Sequence, residues 1–436
     1  MTPLAASGYW LGRLLFTRAL GVIFAIAFMN ALLQFRALLG EHGLTPIPAF
    51  AGSTGFRHAP SIFQWRYSDR FFAGCACVGL LLSVMTVAGV TESLPIGAWM
   101  AVWAVIWVIY LSMVNVGQRW YSFGWESLLL EAGFLAIFVG PASVRPTGLS
   151  LILLRWLLFR VEFGAGLIKL RGDACWRNLT CLNYHHETQP MPNPLSWWFH
   201  HLPPALHRVE VLANHATQLV VIFLIFAPQP VASIAAAIIV VTQAYLMLSG
   251  NFAWLNALTL TLALPVFSGG AIHRVLRITP GASHQAPVWF EVIVVAAAAV
   301  IVWLSWWPAR NLLARRQRMN ASFNQLHLVN TYGAFGSVTR ERYEVVLQGT
   351  ADADPGPDAV WLDYEFKGKP GDPRRRPPQV APYHLRLDWL MWFAALSPRY
   401  ADGWFVQLVD KLLDNDPRIV RLLRVNPFGD APPAYL

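Results

Sequence analysis

Residues 96–116 read IGAWMAVWAVIWVIYLSMVNV, a run without one charged side chain. As a helix rising 1.5 Å per residue it is about 31 Å long, which matches a bilayer hydrocarbon core of about 30 Å. A soluble helix would need a polar face, and this run has none. The whole chain agrees with that reading. Of its 436 residues 56% are hydrophobic and 13% charged, against roughly 25% charged in a typical soluble protein. So few charges cannot cover a water-facing surface of this length. Disorder, a coiled coil and a disulfide-stapled secreted module are excluded on the same ground. The net charge of +9 then points to loop arginines at phospholipid headgroups, and no nucleic-acid partner is expected. The first nine residues lack a basic n-region, so no cleavable signal is expected.

Working outward, comparable apolar runs occupy residues 14–33, 71–90, 126–140, 149–170, 211–227, 231–248, 252–267 and 288–307. The expected fold is an all-α polytopic membrane bundle of about nine transmembrane helices over residues 1–309. Arg310, Arg315, Arg316 and Arg318 mark an abrupt change. Residues 310–436 are expected to form a C-terminal soluble α+β, β-rich extramembrane domain. Strands are expected at 343–347 and 359–366, between Pro- and Gly-rich turns. Trp404, Leu408 and Leu412 recur at i, i+4 and i+8, which predicts an amphipathic helix ending before Pro417.

Charges inside apolar runs carry most information, because each costs roughly 2.5–3.5 kcal/mol on insertion scales. The run LSLILLRWLLFRVEFGAGLIKL at 149–170 holds Arg155, Arg160, Glu162 and Lys169, and the preceding run holds Glu126 and Glu131. Arg155, Glu162 and Lys169 are seven apart and fall within about 20–40° of one another around a helix. Arg160 lies on a different face from Glu162. Three readings stand side by side, the third a substrate-positioning role for Lys169. Arg155, Arg160 and Glu131 form a polar membrane interior of structural ion pairs, with Lys169 snorkelling to the headgroups. Alternatively, Lys169 is a desolvated amine acting as a catalytic base, with Glu126 or Glu162 as its partner.

Cys175 and Cys181 are near enough in sequence for a loop disulfide in an oxidising compartment, with two inert thiols as the alternative. Their spacing is no zinc signature. Cys75 and Cys77 read as core packing, as does the stripe Trp99, Trp103 and Trp107. Asn178-Leu179-Thr180 and Asn320-Ala321-Ser322 match the glycosylation triplet. Histidines occur at His185, His186, His200, His201 and His207 without the helical His-x3-His spacing. No metal and no cofactor are expected.

Four stretches carry a family resemblance. They are residues 121–134 (YSFGWESLLLEAGF), 169–194 from Lys169-Leu170-Arg171-Gly172-Asp173 to Met191-Pro192-Asn193-Pro194, 328–344 beginning LVNTYGAFG, and 382–394 (PYHLRLDWLMWFA). All four resemble the lipase maturation factor family, across both halves of the chain. The resemblance implies a multi-pass membrane protein that helps a secreted lipase-like client protein reach its active fold, through a C-terminal domain on the lumenal side of the endoplasmic reticulum. In a bacterium the equivalent place is the inner membrane, with the domain in the periplasm. Loop arginines, counted by the positive-inside rule, favour a cytoplasmic C-terminal domain instead, and the resemblance is preferred. A fainter similarity links Ala165-Gly166-Leu167-Ile168-Lys169-Leu170 and Trp176 to the membrane domain of vitamin K-dependent gamma-carboxylase, with a longer spacing to the tryptophan here. That similarity implies Lys169 as a base acting on a lipid, quinone or peptide. A transporter is disfavoured, since no inverted repeat stands out.

Overall fold

The computed structural model describes residues 6–279 and 281–436. Its principal helices are α1 (Trp10–Leu38), α2 (Asp69–Ala88), α3 (Ile96–Val116), α4 (Gly124–Ala136), α5 (Gly148–Arg171), α6 (Leu182–Thr188), α7 (Pro204–Leu219), α8 (Val231–Ser249), α9 (Leu255–Ala263), α10 (Gly269–Leu276), α11 (Val288–Leu304), α12 (Arg386–Leu396) and α13 (Phe405–Leu413). Six spans among the described residues are long and apolar enough to cross a membrane. These are α1, α2, α3, α8, and α7 and α11 in their longer forms Pro204–Phe226 and Val288–Leu313. A seventh is counted if Leu255–Val266 and Gly269–Leu276, bent by 113°, act as one span. The expected count of nine is therefore not supported. Helix α4 has 13 residues, about 20 Å of rise, too short to cross alone. Helix α5 has 24 residues, ample length, but its five charges keep it from being an apolar span.

Local chemistry explains the element boundaries. The Ser68 hydroxyl accepts from Phe71 N–H and opens α2, and Gly89 closes it at φ +81°, a conformation that costs glycine little. Helix α1 packs along α2, where Gly79 leaves room for the Phe28 ring. Trp99 and Trp103 of α3 are fully buried and Trp107 half-buried, so the tryptophan stripe packs the bundle. Cys75 is half-buried, but Cys77 is exposed on α2 rather than in the core; the helix is apolar on all sides, so its outer face suits lipid.

The C-terminal region holds few strands. An antiparallel sheet of order β1-β2-β3 is formed by β1 (Leu347–Gly349), β2 (Leu362–Phe366) and β3 (Leu423–Val425). Its register pairs Leu347 with Tyr364 and Glu365 with Val425. Tyr364 and Phe366 are buried, so this strand supplies one apolar face to a region otherwise made of loops and short helices. The amphipathic helix lies where the period-3.6 pattern puts it: Leu408 and Leu412 of α13 are fully buried. One apolar core runs without interruption from the bundle into this region, since Phe123 and Trp125 share it with Trp389 and Leu390.

Candidate functional site

The buried charges of α4 receive the C-terminal region. Glu126 is fully buried and meets Arg386, itself 1% exposed, through Arg386 Nη1 to Oε1 at 2.8 Å. Tyr110 donates its hydroxyl to the other carboxylate oxygen. Arg386 also donates to Asn30 Oδ1 at 3.0 Å and to the Trp120 carbonyl, and its guanidinium lies 3.5 Å from the Tyr121 ring centre. Backbone bonds tie the same turn to α1. Asn30 and Gln34 donate to the His384 carbonyl at 2.6 and 2.8 Å, and Gln34 Oε1 accepts from Arg386 N–H at 3.1 Å. The His384 ring is fully buried among Phe123, Trp125, Trp254 and Trp389. It stands 3.6 Å from Glu126, too far for a hydrogen bond. Burial, then the Arg386 charge, push its pKa down to about 4 against the opposing pull of Glu126. The ring is therefore neutral at physiological pH.

Glu131, one turn further along α4, is the second socket. Arg160 of α5 pairs with it bidentately. Asn330 donates to Glu131 Oε2 from its backbone N–H at 3.0 Å and its side chain at 3.1 Å, and Tyr332 O–H does so at 2.8 Å. All of these residues are buried. A buried carboxylate ringed by one cation and three further donors is a compensated charge, and removing one partner costs far more than forming the pair ever gained. A third joint is Asn251, 0% exposed. Its amide nitrogen donates to the Pro192 and Pro378 carbonyls, and its oxygen accepts from Val380 and Ala381 N–H at 2.8 Å each.

Lys169 and Glu162 lie apart from these sockets. Gln218 of α7 bridges them: its Oε1 accepts from Lys169 Nζ at 2.9 Å and its nitrogen donates to Glu162 at 3.0 Å. Asn214 takes a second Lys169 bond at 2.9 Å, Gln243 supports Glu162 at 2.6 Å, and the Trp176 ring lies 5.1 Å from the ammonium. The structure thus places Glu162 near Lys169 and commits Glu126 to Arg386. Arg155 leaves the group and stacks on Tyr9 at 5.1 Å.

Cys175 and Cys181 form a disulfide with Cα atoms 4.7 Å apart. The loop before it is tied to the C-terminal region by Asp173, which caps Cys175 N–H and takes two bonds from Arg340 at 2.9 and 3.0 Å. The Arg340 bond first, and the Cys175 N–H second, hold the Asp173 carboxyl down at about 2. Asn320 of the second glycosylation triplet accepts from Gly333 N–H at 3.2 Å and faces Gly124, so this side chain serves a packed joint.

Asn30, Gln34, Asn251, Asn330, Tyr332 and Arg386 escape a search for charges within apolar runs. Three of them, Asn330, Tyr332 and Arg386, fall inside the stretches that carry the family resemblance, which was the available signal. His186, His207 and Glu210 also converge, from two different helices.

Comparisons with known proteins agree with one another. The model of the lipase maturation factor transmembrane domain matches residues 11–274, and that of the lipase maturation factor C-terminal domain matches residues 328–436. Lipase maturation factor 1 of Bos taurus is 43% identical over 99% of this chain and 84% of its own length. The Homo sapiens protein of that name is 41% identical over 98% and 81%. Lipase maturation factor 2 of Homo sapiens is 28% identical over 99% of this chain and 79% of its own. No solved structure matches.

Proposed function

The chain belongs to the lipase maturation factor family, as a multi-pass membrane protein, and from that premise we propose that it is a membrane-embedded folding factor for secreted lipase-like clients. One observation carries the reading: the C-terminal region is locked to the helix bundle by the buried Glu126–Arg386 and Glu131–Asn330 contacts. A factor built this way holds its extramembrane surface at a fixed height over the bilayer. There it meets newly exported chains and covers their apolar segments before they aggregate. The cleft beside the junction, about 700 Å³ and lined in part by Phe123, Leu390, Phe393 and Tyr400 with Arg119 and Arg399 at its edge, suits an apolar client segment.

The region faces the lumen of the endoplasmic reticulum, or the periplasm for an inner-membrane protein. The Cys175–Cys181 disulfide supports an oxidising compartment. A reporter fused after Arg318 tests the side, and a cytoplasmic signal removes the placement. The client role is tested in cells lacking their own maturation factor, by the specific activity of a secreted lipase with and without this chain. Unchanged lipase activity refutes it. Phe393→Ser with Tyr400→Ser is expected to lower rescue at unchanged abundance of the factor.

A second reading keeps Lys169 as a catalytic base toward a lipid, quinone or peptide, with Glu162 as its partner. Its support is that Lys169 is 5% exposed and bonded to neutral amides rather than to a carboxylate. Lys169→Met, which keeps the stem, separates the readings: full rescue by this variant removes the base.

A further inference from the structure

The loop and helices beside the disulfide hold an arrangement that family membership does not account for. His186 lies on α6, and His207 and Glu210 lie one turn apart on α7. One donor atom from each falls within 4.8 Å of the others. His186 is 3% exposed, and among the described residues neither of its ring nitrogens has a hydrogen-bond partner. A neutral imidazole carries one N–H and one lone pair, and here both are left unmet in the interior, an unsatisfied donor and an unsatisfied acceptor on one ring.

His207 presents the complementary problem. Its Nε2 lies 3.3 Å from the His200 carbonyl, which can only accept, so that nitrogen carries the proton. In the neutral ring Nδ1 then turns a lone pair toward Glu210 Oε2 at 3.2 Å. Two lone pairs facing each other there need a cation between them. An imidazolium would satisfy His207 and Glu210, but it would still leave both ring nitrogens of His186 unpartnered beside it, with ring centroids 5.8 Å apart. A metal ion answers both demands at once.

We propose that His186, His207 and Glu210 form a zinc site. Two imidazoles and a carboxylate are an established donor set for Zn²⁺, with water in the fourth tetrahedral position. Ligand bonds of about 2.1 Å set donor atoms about 3.4 Å apart, so the group needs only to tighten. Surrounding contacts match those of bound metal ligands: the His200 carbonyl fixes the His207 tautomer, and Tyr245 O–H holds the second Glu210 oxygen. The Glu210 side chain is 17% exposed while His207 is 2% exposed, which leaves an entry path on the carboxylate side. The ion would clamp α6, which follows directly on Cys181, to α7.

The test uses the full chain in nanodiscs, without a polyhistidine tag, dialysed against buffered Zn²⁺ and analysed by mass spectrometry for metal. About one zinc per chain is expected, falling at least tenfold in His186→Phe, whose ring still fills the space beside Phe199. His201→Ala, outside the donor set, is expected to keep its zinc. Co²⁺ added to the wild type is expected to give the visible ligand-field bands of a tetrahedral ion. Substoichiometric zinc in the wild type, equal zinc in His186→Phe, or only octahedral Co²⁺ bands would each overturn the proposal. The Co²⁺ measurement needs no variant, so a folding defect cannot shelter it.

Discussion

Replacing Arg386 by methionine removes the cation that faces Glu126 while keeping most of the side-chain bulk. In the native chain the two are 1% and 0% exposed and bonded at 2.8 Å. The substitution strands a carboxylate in the interior and also frees Asn30 Oδ1 and the Trp120 carbonyl of a donor. Breaking a buried pair from one side costs about 3–5 kcal/mol. The opening equilibrium of the junction should then rise roughly 10²- to nearly 10⁴-fold. Hydrogen exchange followed by mass spectrometry on peptides from 386–396 reads that change directly, since these amides open when the turn leaves α1. The double variant Glu126→Gln with Arg386→Met removes both charges and is expected to recover much of the loss, because the pair's desolvation cost disappears with it. Unchanged exchange in Arg386→Met, or a double variant as exposed as the sum of its singles, would refute the socket.

Glu131→Ala orphans Arg160, two Asn330 donors and Tyr332 together, so it should destabilise by at least about 3 kcal/mol, with protease cleavage around residue 330 as the readout. The Asp173–Arg340 tie should survive mild acid. With its folded pKa held at about 2 against an ordinary 3.8, its contribution is complete above about 4 and is lost as pH falls toward 2; carboxyl-carbon NMR of Asp173 checks this, and a titration near 4 contradicts it. His384 has the opposite origin but the same direction. Its pKa sits at about 4 against 6.5, so protons favour the open state and docking weakens as pH falls from 6.5 to 4. His384→Phe should keep the junction closed at neutral pH and flatten that dependence in hydrogen exchange. Removing the disulfide with Cys175→Ser and Cys181→Ser frees a short loop and should cost about 2 kcal/mol by loop closure, seen as a lower unfolding midpoint.

Much of the membrane part was legible because hydropathy is local. Residues 96–116 and 71–90 announce α3 and α2 within a residue or two, and the seven-residue spacing does bring Glu162 and Lys169 onto one Gln218 side chain. The stripe failed at Arg155, because Tyr9 gave its guanidinium an aromatic face elsewhere. Glu126 was recognised as costly, but its partner lies 260 residues away in the chain, and no periodicity spans that distance. The strand expected at 359–366 holds β2, while the other was displaced for a similar reason. Residues 343–347 have β-rich content, yet the ladder begins at Leu347, where Tyr364 is available to pair. Polar residues such as Asn251 and Asn330 look ordinary in the sequence and matter only through four or more bonds made at once.

The remoteness of Arg386 from Glu126 also sets an order of events during synthesis. Helix α4 emerges from the ribosome long before its counter-ion exists, so an acidic residue must wait inside or beside the bilayer without its cation. Every nascent chain therefore passes through a period in which its interior is incomplete. At domain synthesis rates of about 5–20 residues per second, that wait lasts roughly 10–50 seconds, a window in which membrane proteases and insertion machinery meet a half-built receptor rather than a finished one.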